Sequence, residues 1–394
     1  MSIEETPKVR YYEADSNPTL NGEGAQIPIF IGYSGNASPK PGIQKFKNFK
    51  ALNKDVAYDG IGTTPETNPL LKTLKEFFQE ARKVTSDDIT VPYVYVIDLG
   101  AVPTTTAGEG DNAVTSRSIQ TDPWLQAMDL AKSKRDVQVE VYVGLSKDDP
   151  IATVVGLIDS ACSCIVEDSQ IGNPRIAYIT FEGATDENLK LYTDDTQEND
   201  IQKSRVGIIE PSEFGKTVAN ICCTPYYEEV GYSDFRSIQS GTYNKRTPEE
   251  MDELQSAGII FIADELAGSE IHTRINLGVS TAFATNSDSR PEDALLHARR
   301  NVDQLIREVY AVLYKQLKRN ETEINLSYLQ TDVDVVVENK ISAGYMMPGT
   351  ELKVTESGTN PYDLKVEGVA VPVNATLIIG FSLFIESPNT TIGR

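Results

Sequence analysis

The chain has 394 residues and a mass of 43.3 kDa, enough for two or three domains and for a core that buries about three quarters of the unfolded surface. Apolar residues make up 40% and the mean hydropathy is −0.30, which excludes a membrane-embedded chain and a disordered one. With 36 basic against 58 acidic residues the net charge is −22, so the bulk surface repels phosphate, which argues against nucleic-acid binding and a polybasic membrane-surface role.

Taken in chain order, residues 1–26 are polar, lack a hydrophobic period and are broken by Pro7, Pro18, Gly22 and Gly24; they read as an extended arm. The opening MSIEETPKVRYY places acids where a secretory leader needs a basic start and an apolar stretch, which predicts a soluble protein made in the cytoplasm. IPIFIG at 27–32 reads as a buried strand closed by a glycine turn. LLKTLKEFFQEARK at 70–83 has helical spacing, and VPYVYVIDL at 91–99 is a strand. Residues 101–118 read as a loop by composition.

Beyond that loop the pattern alternates. Helices are predicted at 124–132, 151–166 and 215–223, and strands at 137–143, 175–181, 206–209 and 258–263. Continuous apolar strands alternating with helices predict a mostly parallel sheet covered on both faces. Thr247-Pro248-Glu249-Glu250 reads as a helix start with acids at its positive end.

A third region begins at Asn286. Ser289-Arg290-Pro291-Glu292 reads as a capping box opening a long helix over about 291–320. Its apolar stripe includes Leu295, Leu296, Leu305, Val309 and Leu313. Its other face carries His297, Arg299, Arg300, Arg307 and Lys315, a concentration of positive charge on an acidic chain. Strands are predicted at 333–337, 352–355, 364–369 and 375–385, and 387–394 reads as a second polar arm.

The sequence is poor in catalytic signatures. It has no GxxxxGK[ST], no GxGxxG after a strand and no GxSxG elbow. Its two histidines, His272 and His297, lack metal-binding spacing. Cys162, Cys164, Cys222 and Cys223 make poor disulfide frameworks and sit in or after apolar helical stretches, so they read as buried, inert thiols. Gly278-Val279-Ser280-Thr281-Ala282 resembles the nucleophile segment of subtilisin-like proteases, but a triad needs a positioned histidine as well. No metal or cofactor is expected.

The order of motifs carries more than any one residue. Ile27-Pro-Ile-Phe-Ile-Gly-Tyr-Ser-Gly35, Phe46-Lys-Asn-Phe49, a helix with paired Phe77-Phe78, and a following strand come first. Gly231-Tyr-Ser-Asp-Phe-Arg-Ser-Ile238, Ala257-Gly258-Ile-Ile-Phe-Ile262, Arg299-Arg300-Asn-Val-Asp-Gln-Leu-Ile306 and Gly344-Tyr345 follow. In this order the chain resembles the contractile tail sheath proteins of bacteriophages and related contractile injection systems.

That resemblance implies an α/β plus α+β protein: a subtilisin-like α/β sheath domain without protease function, then an α+β C-terminal domain, with extended N- and C-terminal arms. The division is 1–26 for the first arm, 27–100 for the N-terminal part of the core, 101–285 for the α/β domain, 286–386 for the C-terminal domain and 387–394 for the last arm. The implied role is structural: stacked six-fold rings around an inner tube, contracting without nucleotide to drive that tube through a target envelope. Implied partners are further copies of the chain, the inner tail tube protein, and baseplate and tail terminator proteins, with no nucleic acid and no membrane insertion. The implied location is a virion tail or a related particle assembled in the host cytoplasm. Arg299, Arg300, Arg307 and Lys315 are then expected to face the tube, and Val9, Tyr11, Tyr12, Leu20, Phe384, Ile385 and Ile392 to lie in the arms that join neighbouring subunits. A serine hydrolase on a subtilisin-like fold and a non-enzymatic extracellular binding module are the competing readings.

Overall fold

The computed structural model describes residues 25–36, 38–50, 68–82, 90–107, 114–193, 205–243, 246–267, 269–285, 294–317, 326–356 and 364–373. A seven-stranded sheet forms its centre, from β1 (Pro28–Gly32), β2 (Gln44–Phe46), β3 (Val94–Asp98), β6 (Val139–Ser146), β7 (Ile176–Glu182), β8 (Val206–Ile209) and β9 (Ile259–Ile260). The strand order is β2-β3-β1-β6-β7-β8-β9. Only β2 runs antiparallel to its neighbour; every other pair is parallel. The strands at 27–100 therefore share one sheet with those of 137–260.

Alternate residues feed opposite layers, as the two-residue strand period requires. Phe30, Val96, Val141 and Tyr178 face one side, where they meet helices α1 (Pro69–Glu80) and α5 (Phe214–Cys223). Ile29, Ile31, Tyr142 and Ile179 face the other, under α2 (Thr121–Ala131), α3 (Ile151–Gln170), α4 (Asp186–Leu191) and α6 (Pro248–Ser256). Burial on both faces explains why these strands are apolar throughout. Each fully buried large side chain contributes about 1.5–3 kcal/mol. Helix starts follow local chemistry: Asn68 Oδ1 accepts from the Leu71 N–H at 2.8 Å ahead of Pro69, and Thr247 and Glu250 form the reciprocal capping box of α6.

Three expectations need correction. Residues 101–118 are not all loop: β4 (Thr104–Ala107) and β5 (Val114–Arg117) form an antiparallel hairpin, which the β-branched run Thr104-Thr105-Thr106 favours. The strand expected at 258–263 is cut at Phe261. There Asn276 Oδ1 takes the Phe261 N–H at 2.9 Å and the buried Glu210 takes that of Ile262 at 2.7 Å. The ladder ends, and Ile262–Ala267 (β10) leaves the central sheet to pair with Glu270–Ile275 (β11).

Residues 333–337 are helical, within α8 (Leu326–Ser342). Leu329, Val333, Val336, Val337 and Lys340 are buried along it at helical spacing, and that outweighs the local Asp-Val alternation. The long helix is seen as α7 (Leu296–Leu317). Its Leu305, Val309 and Leu313 pack on α8 and, beyond it, on the hairpin of β12 (Glu351–Glu356) and β13 (Leu364–Val369). The proposed capping box at 289–292, the 375–385 strand, the C-terminal arm and residues 1–24 of the N-terminal arm, including Val9, Tyr11, Tyr12, Leu20, Phe384, Ile385 and Ile392, lie outside the described residues. No helix among the described residues is long and apolar enough to cross a membrane.

Candidate assembly site

Helix α7 was expected to show a basic face to a partner. Two of its four expected contact residues, Arg300 and Arg307, are instead bonded to carbonyls of the same chain. The helix lies across the amino-terminal ends of β6, β7 and β8 and touches the segments that lead into each. Arg307 donates to the carbonyls of Arg135 (3.0 Å), Val137 (2.7 Å) and Pro174. Asp303 receives both arms of the Arg205 guanidinium, at 2.9 and 3.0 Å. Arg205 also donates to the Arg175 carbonyl at 3.0 Å. Arg175, fully buried, continues the chain of charge to Glu140 (2.7 Å) and Asp168 (3.4 Å).

Arg300 is 1% exposed. Its guanidinium donates to the Ile221, Thr224 and Glu228 carbonyls, at the C-terminal end of α5 and just beyond. A helix C-terminus carries orphan carbonyls and partial negative charge, so a buried cation is matched there. Burial still pushes the Arg300 and Arg307 guanidinium pKa values down. The expected partner-facing role of these two residues is corrected on this ground: a guanidinium enclosed by backbone carbonyls of its own chain is not available to a partner. Arg299 is half-buried, and Lys315 is exposed.

A second contact closes the same joint. Lys340 of α8 is buried, pairs with Glu308 at 2.6 Å and donates to the Tyr226 hydroxyl at 2.8 Å. The rings of Tyr226 and Tyr345 lie beside its ammonium, at 4.9 and 5.5 Å. Arg205, Glu308, Lys340 and Tyr226 were not picked out from the sequence, and Asp303 was read only as an intrahelical partner of Arg299. Their partners lie 32 to 114 positions away, and no local pattern announces such pairs.

Among the described residues the two histidines and Ser280 form no catalytic constellation. Ser280 is buried, and its Oγ has no hydrogen-bond partner in the structure. His297, 3% exposed, meets the Val373 carbonyl through Nε2 at 2.7 Å, and burial holds its imidazole below the usual range. His272 sits on the β10–β11 hairpin, 2.8 Å from Asp234. In open α/β sheets ligands enter where the strand order reverses, at the carboxyl ends of the strands. Here that place lies between β1 and β6, and beside it, at the end of β6, Arg117 is bonded to the Gly144 carbonyl and to Asp149 at 2.8 Å. Cys222 and Cys223 are buried free thiols, and burial raises both pKa values. Among the described residues no group of three or more His, Cys, Asp or Glu side chains could hold a metal ion.

The surface carries a charge pattern that the motif search passed over. No acidic residue falls between Glu23 and Asp55, a stretch that contains Lys40, Lys45, Lys47, Lys50 and Lys54. The first four of these lysines are exposed on and around edge strand β2. Charge patterning alone would have found them.

No protein-family model matches the sequence, and no curated protein matches it. Solved structures do. The helical sheath of the anti-feeding prophage in its contracted state is similar at a TM-score of 0.61 and 11% identity, covering 98% of this chain and 100% of that one. The sheath complex of the extracellular contractile injection system PVC, also contracted, is similar at 0.58 and 11%, covering 98% and 99%. A sheath tail protein from Listeria innocua is similar at 0.58 and 8%, covering 90% and 93%. The chain thus has the fold of these sheath proteins.

Proposed function

We propose that the protein is a structural subunit of a contractile tail sheath, which polymerises as stacked six-fold rings around an inner tube and contracts to drive the tube through a target envelope. One observation carries the reading: the likeness spans 98% of this chain and the whole of a sheath subunit seen in its contracted assembly. The buried Ser280, whose Oγ has no hydrogen-bond partner, and His297, which meets the Val373 carbonyl instead, support a non-enzymatic, subtilisin-like α/β domain. Partners on this reading are other copies of the chain, the tube protein, and baseplate and terminator proteins. The particle is a virion tail or a related device assembled in the host cytoplasm. The arms at 1–26 and 387–394 link neighbours by adding strands to their sheets, and Lys315 with Arg299 remain the tube-facing candidates on α7.

The joint described above gives this subunit a mechanical property. Buried ion pairs and carbonyl-bound arginines fasten α7 and α8 to the sheet, so the body turns as a unit while the arms act as hinges. The extended polymer is held by barriers, and the contracted one lies lower in free energy. Electron microscopy of the purified protein tests the reading. Tubes or stacked rings are expected, and particles triggered by mild acid in nucleotide-free buffer should shorten irreversibly. Monodisperse monomers that cleave peptides would overturn it.

A further inference from the structure

The two ends of the central sheet differ in charge. At one end is β2, whose outer edge has no strand partner among the described residues. Lys40, Lys45, Lys47 and Lys50 stand exposed around it, and Lys45 lies over the Tyr93 ring at 3.3 Å. At the other end are β9, the helix α6 packed beside it and the β10–β11 hairpin that continues from it. Here Glu249, Asp252, Glu253, Glu265 and Glu270 are exposed. Leu266 and Ile271 face each other across the hairpin, 70% and 49% exposed, an apolar pair set among those acids. Six strand-to-strand steps of about 4.8 Å put the two ends about 29 Å apart.

We propose that these ends form one contact between copies of the chain, head to tail, with the lysine-bearing β2 edge of one subunit seated on the acidic α6 and hairpin end of the next. The occupant is a second copy because the complement to each end lies on the same molecule. Two different patches that fit each other generate a heterologous contact, which closes into a ring or continues as a helix, whereas a self-complementary patch would stop at a dimer. Leu266 and Ile271 supply the apolar centre that a rim of charge by itself lacks. Lysines on an edge strand also discourage stray strand pairing, and that role alone needs no acidic counterpart. The proposal rests on the sheath reading for the polymer, and it assigns which faces meet.

The test uses the full chain with two reversed pairs, Lys47→Glu with Lys50→Glu, and Asp252→Lys with Glu270→Lys. All four sites are exposed, and none lies in the first turn of α6. Circular dichroism melting verifies that each variant folds, and sedimentation reads assembly against protein concentration. Each reversed pair alone should raise the critical concentration about tenfold or more, since it brings like charges face to face. The chain carrying both pairs should recover most of the loss, and raising the salt should shrink every difference. A folded single-pair variant that assembles like the parent overturns the contact and leaves the sheath reading standing. Folded single-pair variants whose combination does not recover also overturn it. A parent chain that forms no polymer overturns both.

Discussion

Asp303 on the long helix α7 takes two parallel hydrogen bonds from Arg205, at 2.9 and 3.0 Å, with both side chains more than nine-tenths buried. The pair ties the helix to the residue that leads into β8, 98 positions earlier in the chain. Bidentate geometry and burial make it strong, and they also make each partner costly to lose. Asp303→Leu should lower stability to denaturant by about 3–5 kcal/mol, because it leaves an uncompensated buried guanidinium. The double variant with Arg205→Leu should cost less than the sum of the two single changes.

Arg300 and Lys315 lie about four turns apart on the same face of α7, yet they should behave oppositely. Arg300→Ala strips a charged donor from the carbonyls that end α5, and should cost about 2 kcal/mol or more. Lys315→Glu is exposed, and should change stability by no more than about 0.5 kcal/mol while weakening any contact with an acidic tube. Thermal melting alongside a tube co-sedimentation assay separates the two.

Gly215 opens α5 where that helix crosses α1. A Cβ there would stand 2.1 Å from the Thr73 carbonyl oxygen and 2.8 Å from the Glu76 Cβ. Backbone on the far side cannot yield as a flexible side chain would. Gly215→Ala should therefore cost about 1–3 kcal/mol, with Gly156→Ala, whose Cβ would meet open space, as the control expected to be neutral or stabilising.

Burial raises the Asp168 carboxyl from its ordinary 3.8 to about 6, against the opposing pull of Arg175 and with a further push from Glu140. The folded protein thus holds a proton that the unfolded chain releases between about pH 4 and pH 6. The contribution is fully present below the unfolded pKa and is lost as pH rises through about 6. Stability measured from pH 4 to pH 6.5 should carry this falling component, and Asp168→Asn should remove it. An unchanged slope in the variant would assign the pH dependence to other groups.

Much of the framework was legible in the residues. Continuous apolar strands such as 27–32 and 206–209, alternating with amphipathic helices, foretold a parallel sheet covered on both faces, because a doubly buried strand has no polar side to show. The order of those segments resembles that of the sheath proteins. The α6 start was equally plain, since Thr247 and Glu250 meet within one turn. These are local statements, decided by neighbours three or four residues away.

What only the tertiary structure decided was the environment of each charge. Arg300 and Arg307 share a helix face with Lys315, and a sequence reads all three as solvated cations. The fold lays that face over the ends of α5 and of three strands, so two of the three are enclosed by backbone carbonyls and the third is left in water. The helix at 333–337 was missed for the same reason: burial against Leu305 and Val309 of α7 outweighs a local strand pattern. Amphipathic periodicity identifies a helix and its apolar stripe, but the free energy of a buried ion depends on partners brought in from a hundred residues away, which no window along the chain contains.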